Sequence, residues 1–180
     1  MKAKMMILCA IFAALIAVGA FVEINVFIIP ITLQTFFVIL AGLVLGAKWG
    51  PMSVLVYVVL GLLGLPVFTK GGGIFYIFEL TFGFILGFIL CAFIIGLLCG
   101  RMKSEKFFPC FLSCVLGILC LYLAGVPYAL AIKTLYLRQN VNILPFIWSL
   151  TGIYLVKDII ICAICAYIGI KIKPALKRFI

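Results

Sequence analysis

The residues best suited to chemistry in this sequence are the few ionisable groups inside its long apolar runs. The clearest is Asp158, which lies with Lys157 in the middle of an otherwise uncharged stretch. A charged group within a bilayer is costly and normally faces a bundle interior or a cavity, where it marks a functional site. We therefore predict that Asp158 contacts a ligand. The alternative is an interhelical salt bridge or hydrogen bond that only holds the bundle together.

Lys157 belongs to the same candidate site but is expected to point elsewhere. Neighbouring residues of an α-helix project about 100° apart, so Lys157 and Asp158 are not expected to form an ideal pair within one helix. If Asp158 faces the interior, we expect Lys157 to face another helix or to extend toward the membrane interface.

Four further polar residues complete the predicted substrate-binding set. Gln34 and Thr35 lie one turn inside an apolar run, where an amide and a hydroxyl need partners, either a ligand or a neighbouring helix. Glu79 immediately precedes another apolar run, and Thr81 is the second residue of that run. It is either a ligand contact or a solvated acid that the helix dipole favours at a helix start.

The residue types give little support to catalysis or to a pore. The chain has no histidine, only four acids, and no serine or cysteine nucleophile beside a visible base. The sequence shows no ring of like charges of the kind that lines an ion channel. The eight cysteines lie in or beside apolar runs, where cysteine behaves as a small hydrophobic residue. The glycines 71–73 lack the GK[ST] of a phosphate-binding loop, and are predicted to form a flexible lid or an ordinary loop.

The elements that position these residues are membrane-spanning helices. The 180 residues are 68% hydrophobic and 10% charged, whereas a soluble domain is about half apolar and about a quarter charged. A spanning helix needs about 20 apolar residues, and continuously apolar runs exclude the alternating strands of a membrane barrel. We predict an all-α, single domain over residues 1–180 with six transmembrane helices: 5–22, 31–47, 49–69, 80–100, 107–132 and 148–170.

The basic residues predict the orientation of these helices. The net charge of +10 does not indicate a nucleic-acid partner, because the cations are separated by long uncharged runs. With six spans, both termini share one side with most of the cations, and the positive-inside rule makes that side cytoplasmic. That side carries Lys2, Lys4, Lys48, Arg101, Lys103, Lys106, Lys171, Lys173, Lys177 and Arg178, and the other carries Lys70, Lys133 and Arg138.

Small residues recur along the first span at spacings of three and four, and would let another helix approach closely. The stripe comprises Ala10, Ala13, Ala14, Ala17 and Ala20. It either docks a partner protein or packs within this bundle. The residues alone therefore predict a small-molecule-binding helix bundle in the bilayer, open toward the outside.

Several segments resemble the BioY family, the biotin-specific substrate-binding subunits (S components) of energy-coupling factor (ECF) transporters. They are PITLQT (30–35), LAGLVLGA (40–47), GLLGLPVF (61–68) with the glycines 71–73, LTFGF (80–84) with Gly87, and AGVPY (124–128). The segment AALIAVGAF (13–21) is also similar to the family. These matches are spread over nearly the whole chain.

The resemblance implies a six-helix S component that captures biotin from outside and releases it inward. Its implied partners are a transmembrane coupling protein and two ATPases, so the chain needs no cofactor of its own. It also implies that Ala10, Ala13, Ala14 and Ala17 contact the coupling protein and that loops close over the ligand.

Biotin suits the predicted site. Asp158 would accept a ureido N–H, and Gln34 or Thr35 would serve the ureido carbonyl. Aromatic side chains would pack the ring and the chain, and Lys70 or Lys133 would meet the valerate carboxylate.

The sequence also departs from the family pattern in two places. BioY proteins usually have Pro-Gly-Asp in the sixth span with a lysine three residues later, whereas this chain has Val156-Lys157-Asp158 and Ile161. Before Thr81 the family often has proline, and here Leu80 stands there. An S component for another vitamin is therefore one alternative. A membrane enzyme or assembly factor that uses Glu79 and Asp158 is another.

Overall fold

Five helices build the fold, as seen in a computed structural model that describes residues 2–24, 30–102 and 106–179. They are α1 (Lys2–Phe21), α2 (Gln34–Leu62), α3 (Phe82–Arg101), α4 (Phe107–Ala131) and α5 (Ile143–Phe179). Each is long and apolar enough to cross a membrane. The predicted all-α membrane class is confirmed.

Helix α2 joins two of the predicted runs and folds back on itself. Gly46 interrupts the helix with φ 77° and ψ −173°. A Cβ on Gly50 would lie 2.9 Å from the carbonyl oxygen of Ala41, and the side chains of Gln34 and Tyr57 are hydrogen-bonded. In an unbroken helix, residues 34 and 57 would be about 34 Å apart. The halves 34–45 and 47–62 are therefore antiparallel neighbours.

Three connections gather at the end of the bundle opposite the N-terminus. The first contains β1 (Glu23–Ile24) paired antiparallel with β2 (Ile31–Thr32). The second, between α2 and α3, contains a 3₁₀ helix at Ile74–Phe78. The third begins with a π-helical turn at Ile132–Tyr136. The second meets α4, because Tyr128 donates a hydrogen bond to the carbonyl of Ile77.

Glycines bring the helices into close contact around α3. A Cβ on Gly42 of α2 would lie 2.8 Å from the carbonyl oxygen of Ala92, and a Cβ on Gly87 of α3 would lie 2.8 Å from that of Leu121 on α4. Gly96 packs against the backbone of Gly46 and Ala47, beside the turn in α2. Small residues permit this backbone approach, so α3 lies between α2 and α4 at the centre of the bundle.

The cations used to predict orientation lie mainly at the other end. Lys48 follows the turn in α2, Arg101 is the last residue of α3, and Lys106 immediately precedes α4. Lys103 lies outside the described residues. The prediction of cytoplasmic termini rests on this distribution of charge.

Candidate functional site

A pocket of about 600 Å³, counting its open mouth, lies at the end where the three connections gather. Small-molecule sites are typically clefts that combine an apolar lining with a few placed polar groups. Its apolar wall comprises Pro30, Phe84, Ile85, Phe88, Leu121 and Leu150. Its polar lining comprises Thr32, Gln34, Thr35, Thr69, Tyr76, Thr81, Tyr122, Tyr154, Lys157 and Asp158. The pocket thus combines an apolar surface with a few groups that can orient a ligand.

Asp158 is the buried anion of this pocket. It is 2% exposed, and its Oδ2 accepts a hydrogen bond of 2.6 Å from the Tyr122 hydroxyl of α4. Its Oδ1 lies 2.9 Å from Nζ of Lys157, but outside hydrogen-bond geometry, and it accepts no hydrogen bond from the described residues. The ammonium of Lys157 compensates the charge of Oδ1, but the hydrogen-bonding capacity of this buried oxygen is unused by the described residues. Oδ1 can therefore accept an N–H from a ligand.

The side chain of Lys157 does not point in the direction that was predicted from its position next to Asp158. The expectation that it faces another helix or extends to the interface is wrong, because its ammonium lines the pocket beside Asp158. The reason is the length of the side chain: a flexible four-carbon stem covers the 100° between adjacent positions. The pocket therefore presents a cation and a carboxylate side by side.

Gln34 and Thr35 begin α2 and are both buried at the pocket. Nε2 of Gln34 donates to the hydroxyl of Tyr57 at 2.6 Å, and Oε1 accepts from Thr32 at 3.2 Å. The Tyr57 hydroxyl in turn donates to the carbonyl of Val67 at 3.3 Å. These bonds fix the amide of Gln34 and connect it to the loop between α2 and α3.

Thr81 belongs to a short row of hydroxyl groups. The Tyr76 hydroxyl lies 3.0 Å from Oγ1 of Thr69 and 3.1 Å from Oγ1 of Thr81. Each hydroxyl can donate or accept, so this row can serve either kind of polar group on a ligand.

Glu79 is the predicted site residue that the structure does not bring to the pocket. It forms an exposed ion pair of 2.8 Å with Lys70 and is absent from the pocket lining. Lys133 lies 4.6 Å from the ring centre of Phe146 and is also outside the lining. The predicted roles of Lys70 and Lys133 toward a ligand carboxylate therefore find no support in the geometry.

Three tyrosines of the lining were missed from the sequence: Tyr76, Tyr122 and Tyr154. Tyr154 precedes Asp158 by four residues, a spacing that places both on one helix face and could have been noticed. Tyr122 lies in an apolar run, where nothing in its spacing distinguishes it from the other aromatic residues. Tyr76 follows the glycine loop, and its role depends on the fold of that loop.

The alanines predicted to dock a partner are divided by the structure. Ala13 is 4% exposed and packs in the core, so its predicted partner contact is corrected to packing within this chain. Ala10 and Ala14 are exposed, and Ala17 is half-buried. The outward-facing part of the stripe is therefore Ala10, Ala14 and Ala17.

The glycine loop is packed against the end of α2. Gly71 and Gly73 have φ of 106° and 110°, which other residues rarely adopt. A Cβ on Gly72 would overlap the carbonyl oxygen of Leu65, and the amide of Gly73 donates to the carbonyl of Gly61 at 2.7 Å. These contacts account for all three glycines, and the movement of this loop as a lid stays a prediction.

Known proteins resemble this chain along most of its length. A sequence model of the BioY family matches residues 1–178. The "Probable biotin transporter BioY" of Lysinibacillus sphaericus is 44% identical over 76% of this chain and 66% of its own length. The "Biotin transporter BioY" of Thermotoga maritima is 38% identical over 94% of this chain and 96% of its own.

A solved structure is also similar. The crystal structure of the S-component for biotin from an ECF-type ABC transporter superposes with a TM-score of 0.84 at 25% sequence identity. The superposition covers 96% of this chain and 92% of that protein.

Proposed function

This chain belongs to the BioY family, and from that membership we propose that it is the biotin-binding S subunit of an ECF-type importer. It is a multi-pass protein of the plasma membrane and a transporter subunit, not an enzyme. It binds biotin from outside, and the complete transporter releases the vitamin inward. The likeness to a solved S-component for biotin supports this assignment.

The observation that carries the proposal is the buried Oδ1 of Asp158. Asp158 lines the pocket, and this buried oxygen has no hydrogen-bond donor from the described residues. The ureido group of biotin has two N–H donors and one carbonyl acceptor. In the proposed complex, one N–H donates to Oδ1 of Asp158, which satisfies the buried acceptor.

The neighbouring lysine supplies the complementary partner. Nζ of Lys157 lies 2.9 Å from Oδ1 of Asp158, so donor and acceptor are adjacent on the protein as N–H and C=O are adjacent on a ureido group. We assign Lys157 to the ureido carbonyl. The apolar wall, including Phe84 and Phe88, packs against the thiophane ring and the aliphatic chain. The valerate carboxylate then points to the open mouth, near the hydroxyls of Thr69, Tyr76 and Thr81.

The membrane arrangement in this proposal has six crossing segments, because the two halves of α2 are counted separately. Successive segments then alternate in direction, and both termini lie at the cation-rich end. Under the positive-inside rule that end is cytoplasmic, so the pocket opens to the outside.

The proposed protein partners are a transmembrane coupling protein and two ATPases. The sequence contains no phosphate-binding loop of its own, which assigns ATP hydrolysis to the partners. The outward-facing stripe of α1, formed by Ala10, Ala14 and Ala17, is the proposed docking surface for the coupling protein. Small side chains there permit a close helix–helix contact.

Equilibrium binding to the detergent-purified chain tests the proposed ligand. We expect saturable binding of biotin and no binding of riboflavin or thiamin at the same concentrations. Binding of a different vitamin would replace biotin as the assigned ligand and leave the assigned role as an S subunit unchanged. Failure of correctly folded protein to bind biotin would reject the biotin assignment.

A further inference from the structure

Two thiols meet at the cation-rich end of the bundle, away from the pocket. Cys99 lies near the end of α3 and Cys110 near the start of α4. Their sulfur atoms are 3.3 Å apart. Nζ of Lys173 on α5 lies 2.8 Å from Sγ of Cys99. Both cysteines are buried. Cys99, Cys110 and Lys173 therefore form a cluster inside the chain, and the proposed binding of biotin does not use it.

The packing of α3 on α4 holds the two sulfur atoms in register. Gly87 of α3 is pressed against Leu121 of α4, and Gly117 of α4 against Ile95 of α3. The antiparallel register that these contacts define places Cys99 opposite Cys110 at the end of the pair. Because a disulfide bond is about 2.05 Å long, the sulfur atoms need to approach by a little over an ångström to bond.

We propose that Cys99 and Cys110 are an oxidation site, which a small hydroperoxide such as hydrogen peroxide converts to a disulfide. We assign Cys99 as the sulfur that is oxidised first, because the ammonium of Lys173 lies 2.8 Å from its Sγ. The resulting bond links α3 to α4 at the end opposite the pocket.

The reaction balances with one molecule of peroxide. The thiolate of Cys99 attacks one peroxide oxygen, the O–O bond breaks, and the hydroxide that leaves is protonated to water. Cys99 is then a sulfenic acid. The sulfur of Cys110 attacks Sγ of Cys99, an S–S bond forms, the S–O bond breaks, and the departing hydroxide takes the Cys110 proton as a second water. Two thiols lose two electrons, and the peroxide gains them.

The chain provides an internal comparison for this site. Cys114 and Cys162 also lie close to each other inside the bundle, whereas the ammonium of Lys173 lies against Cys99. If contact between thiols were sufficient, both pairs would oxidise at similar rates. The proposal requires the Cys99–Cys110 pair to react faster.

Peptide mapping of the purified full chain after peroxide treatment tests the bond. Trypsin cuts after Arg101 and Lys106, between the two cysteines, so their peptides remain joined only through a disulfide. We expect joined peptides that dithiothreitol separates in the wild type and in the control Cys120→Ser. We expect none in Cys99→Ser or Cys110→Ser. A wild-type chain without the link, or a link that persists in Cys99→Ser, would overturn the proposal.

Two further variants test the order of events. In Cys110→Ser the sulfenic acid of Cys99 has no resolving thiol, so dimedone is expected to label Cys99. In Lys173→Met we expect disulfide formation to slow by about tenfold, because the variant removes the cation that lies 2.8 Å from Sγ of Cys99. An unchanged rate in Lys173→Met, or dimedone on Cys110 instead of Cys99 in the wild type, would reject the assigned roles. These measurements need no biotin, so their outcome is independent of the proposed function.

Discussion

At the scale of single residues, the two oxygens of Asp158 have different surroundings. Oδ2 is satisfied by the Tyr122 hydroxyl, while Oδ1 has the charge of Lys157 nearby but no aligned donor among the described residues. In the proposed complex, an N–H of biotin supplies that donor and offsets the desolvation of Oδ1. The proposal thereby makes the carboxylate both a source of affinity and a selector for ligands with a donor at that point.

Replacing Asp158 by asparagine tests this role. Asp158→Asn keeps the shape but removes the charge, and hydrogen bonds to charged groups contribute about 1.5–3 kcal/mol. We expect biotin affinity to fall by about ten- to a hundredfold, measured by calorimetry on the folded chain. The matched control is Glu79→Gln, which alters an exposed acid outside the pocket and is expected to leave affinity unchanged. Equal affinity for Asp158→Asn and wild type would assign Asp158 to packing alone.

The tyrosine that supports the carboxylate is expected to affect stability. Tyr122→Phe leaves Oδ2 of Asp158 buried without its donor, which costs about 1–3 kcal/mol. A lower thermal midpoint in detergent is the expected result. Tyr167→Phe, which removes a hydroxyl from a largely exposed ring, is the control and is expected to match the wild type. Similar midpoints for both variants would mean that Oδ2 finds another donor.

The sequence predicted part of this site and missed the rest for a physical reason. A carboxylate within an apolar run is conspicuous, because its burial has to be compensated, and Asp158 lies in the pocket as its position suggested. A tyrosine in such a run is not conspicuous, because its ring is apolar and only the fold decides where its hydroxyl points. Glu79 and Lys70 were equally visible as charges, yet they pair with each other at the surface.

At the scale of elements, the fold-back of α2 depends on the backbone of one residue. Gly46 has φ 77° and ψ −173°, and no atom of the described residues lies within 4 Å of a Cβ built there. This region of backbone conformation is almost exclusive to glycine. The choice of residue at position 46 is therefore restricted by backbone strain and not by a lack of space for a side chain.

Gly46→Ala is expected to lower the free energy of unfolding by about 1–3 kcal/mol through strain alone. Gly100→Ala is the matched control, because its Cβ also has no neighbour within 4 Å in the described part of the chain but its φ is an ordinary one. There alanine is expected to be neutral or to stabilise the helix by up to about 1 kcal/mol. Thermal unfolding of both variants in the same detergent measures the difference. Equal stabilities would show that the turn tolerates another conformation.

Helix α1 permits a test of partner docking. Ala14→Leu enlarges an exposed position, so we expect lost co-purification with the coupling protein and unchanged biotin binding. Ala13→Leu enlarges a buried position and is expected to destabilise the chain itself by about 1–3 kcal/mol. Intact co-purification of Ala14→Leu would remove this face from the proposed docking surface.

Most element boundaries followed from the apolar runs, and the exceptions have local causes. Residues 80–100 and 107–132 were predicted as spans and are close to α3 and α4. The third run was predicted to continue to Thr69, but α2 ends at Leu62. The following glycine has φ 103° and turns the chain. Hydropathy does not detect this end, because the loop that follows is also apolar.

At the scale of the whole molecule, the connections between segments should be reachable from opposite sides of the membrane. We expect a membrane-impermeant amine reagent to modify Lys70 in intact cells. Lys171, at the cation-rich end, should react only after the membrane is opened. Peptide mapping identifies the labelled lysines, so the modification of Lys70 and of Lys171 is measured in the same sample. Labelling of Lys171 in intact cells would reverse the proposed orientation.

The membrane class was accessible from composition, because the bilayer restricts composition strongly, and the placement of both termini on one side stays a prediction from charge. The shape of the pocket was not accessible. It requires groups from α2, α3, α4 and α5 to converge, and sequence spacing describes only neighbours along one helix.

The interruption at Gly46 also gives the molecule an uneven thickness. A helix over residues 34–45 rises only about 18 Å and one over 47–62 about 24 Å, whereas the hydrocarbon layer is about 30 Å thick. Helices α4 and α5 are long enough to cross it with length to spare. In the proposed arrangement with six crossing segments, hydrophobic mismatch is therefore expected on the hairpin side, where lipid tails would compress or headgroups would bend inward. We expect the hydrophobic length of the chain to match bilayers of short-chain lipids best, and we expect the chain to thin longer-chain bilayers beside α2.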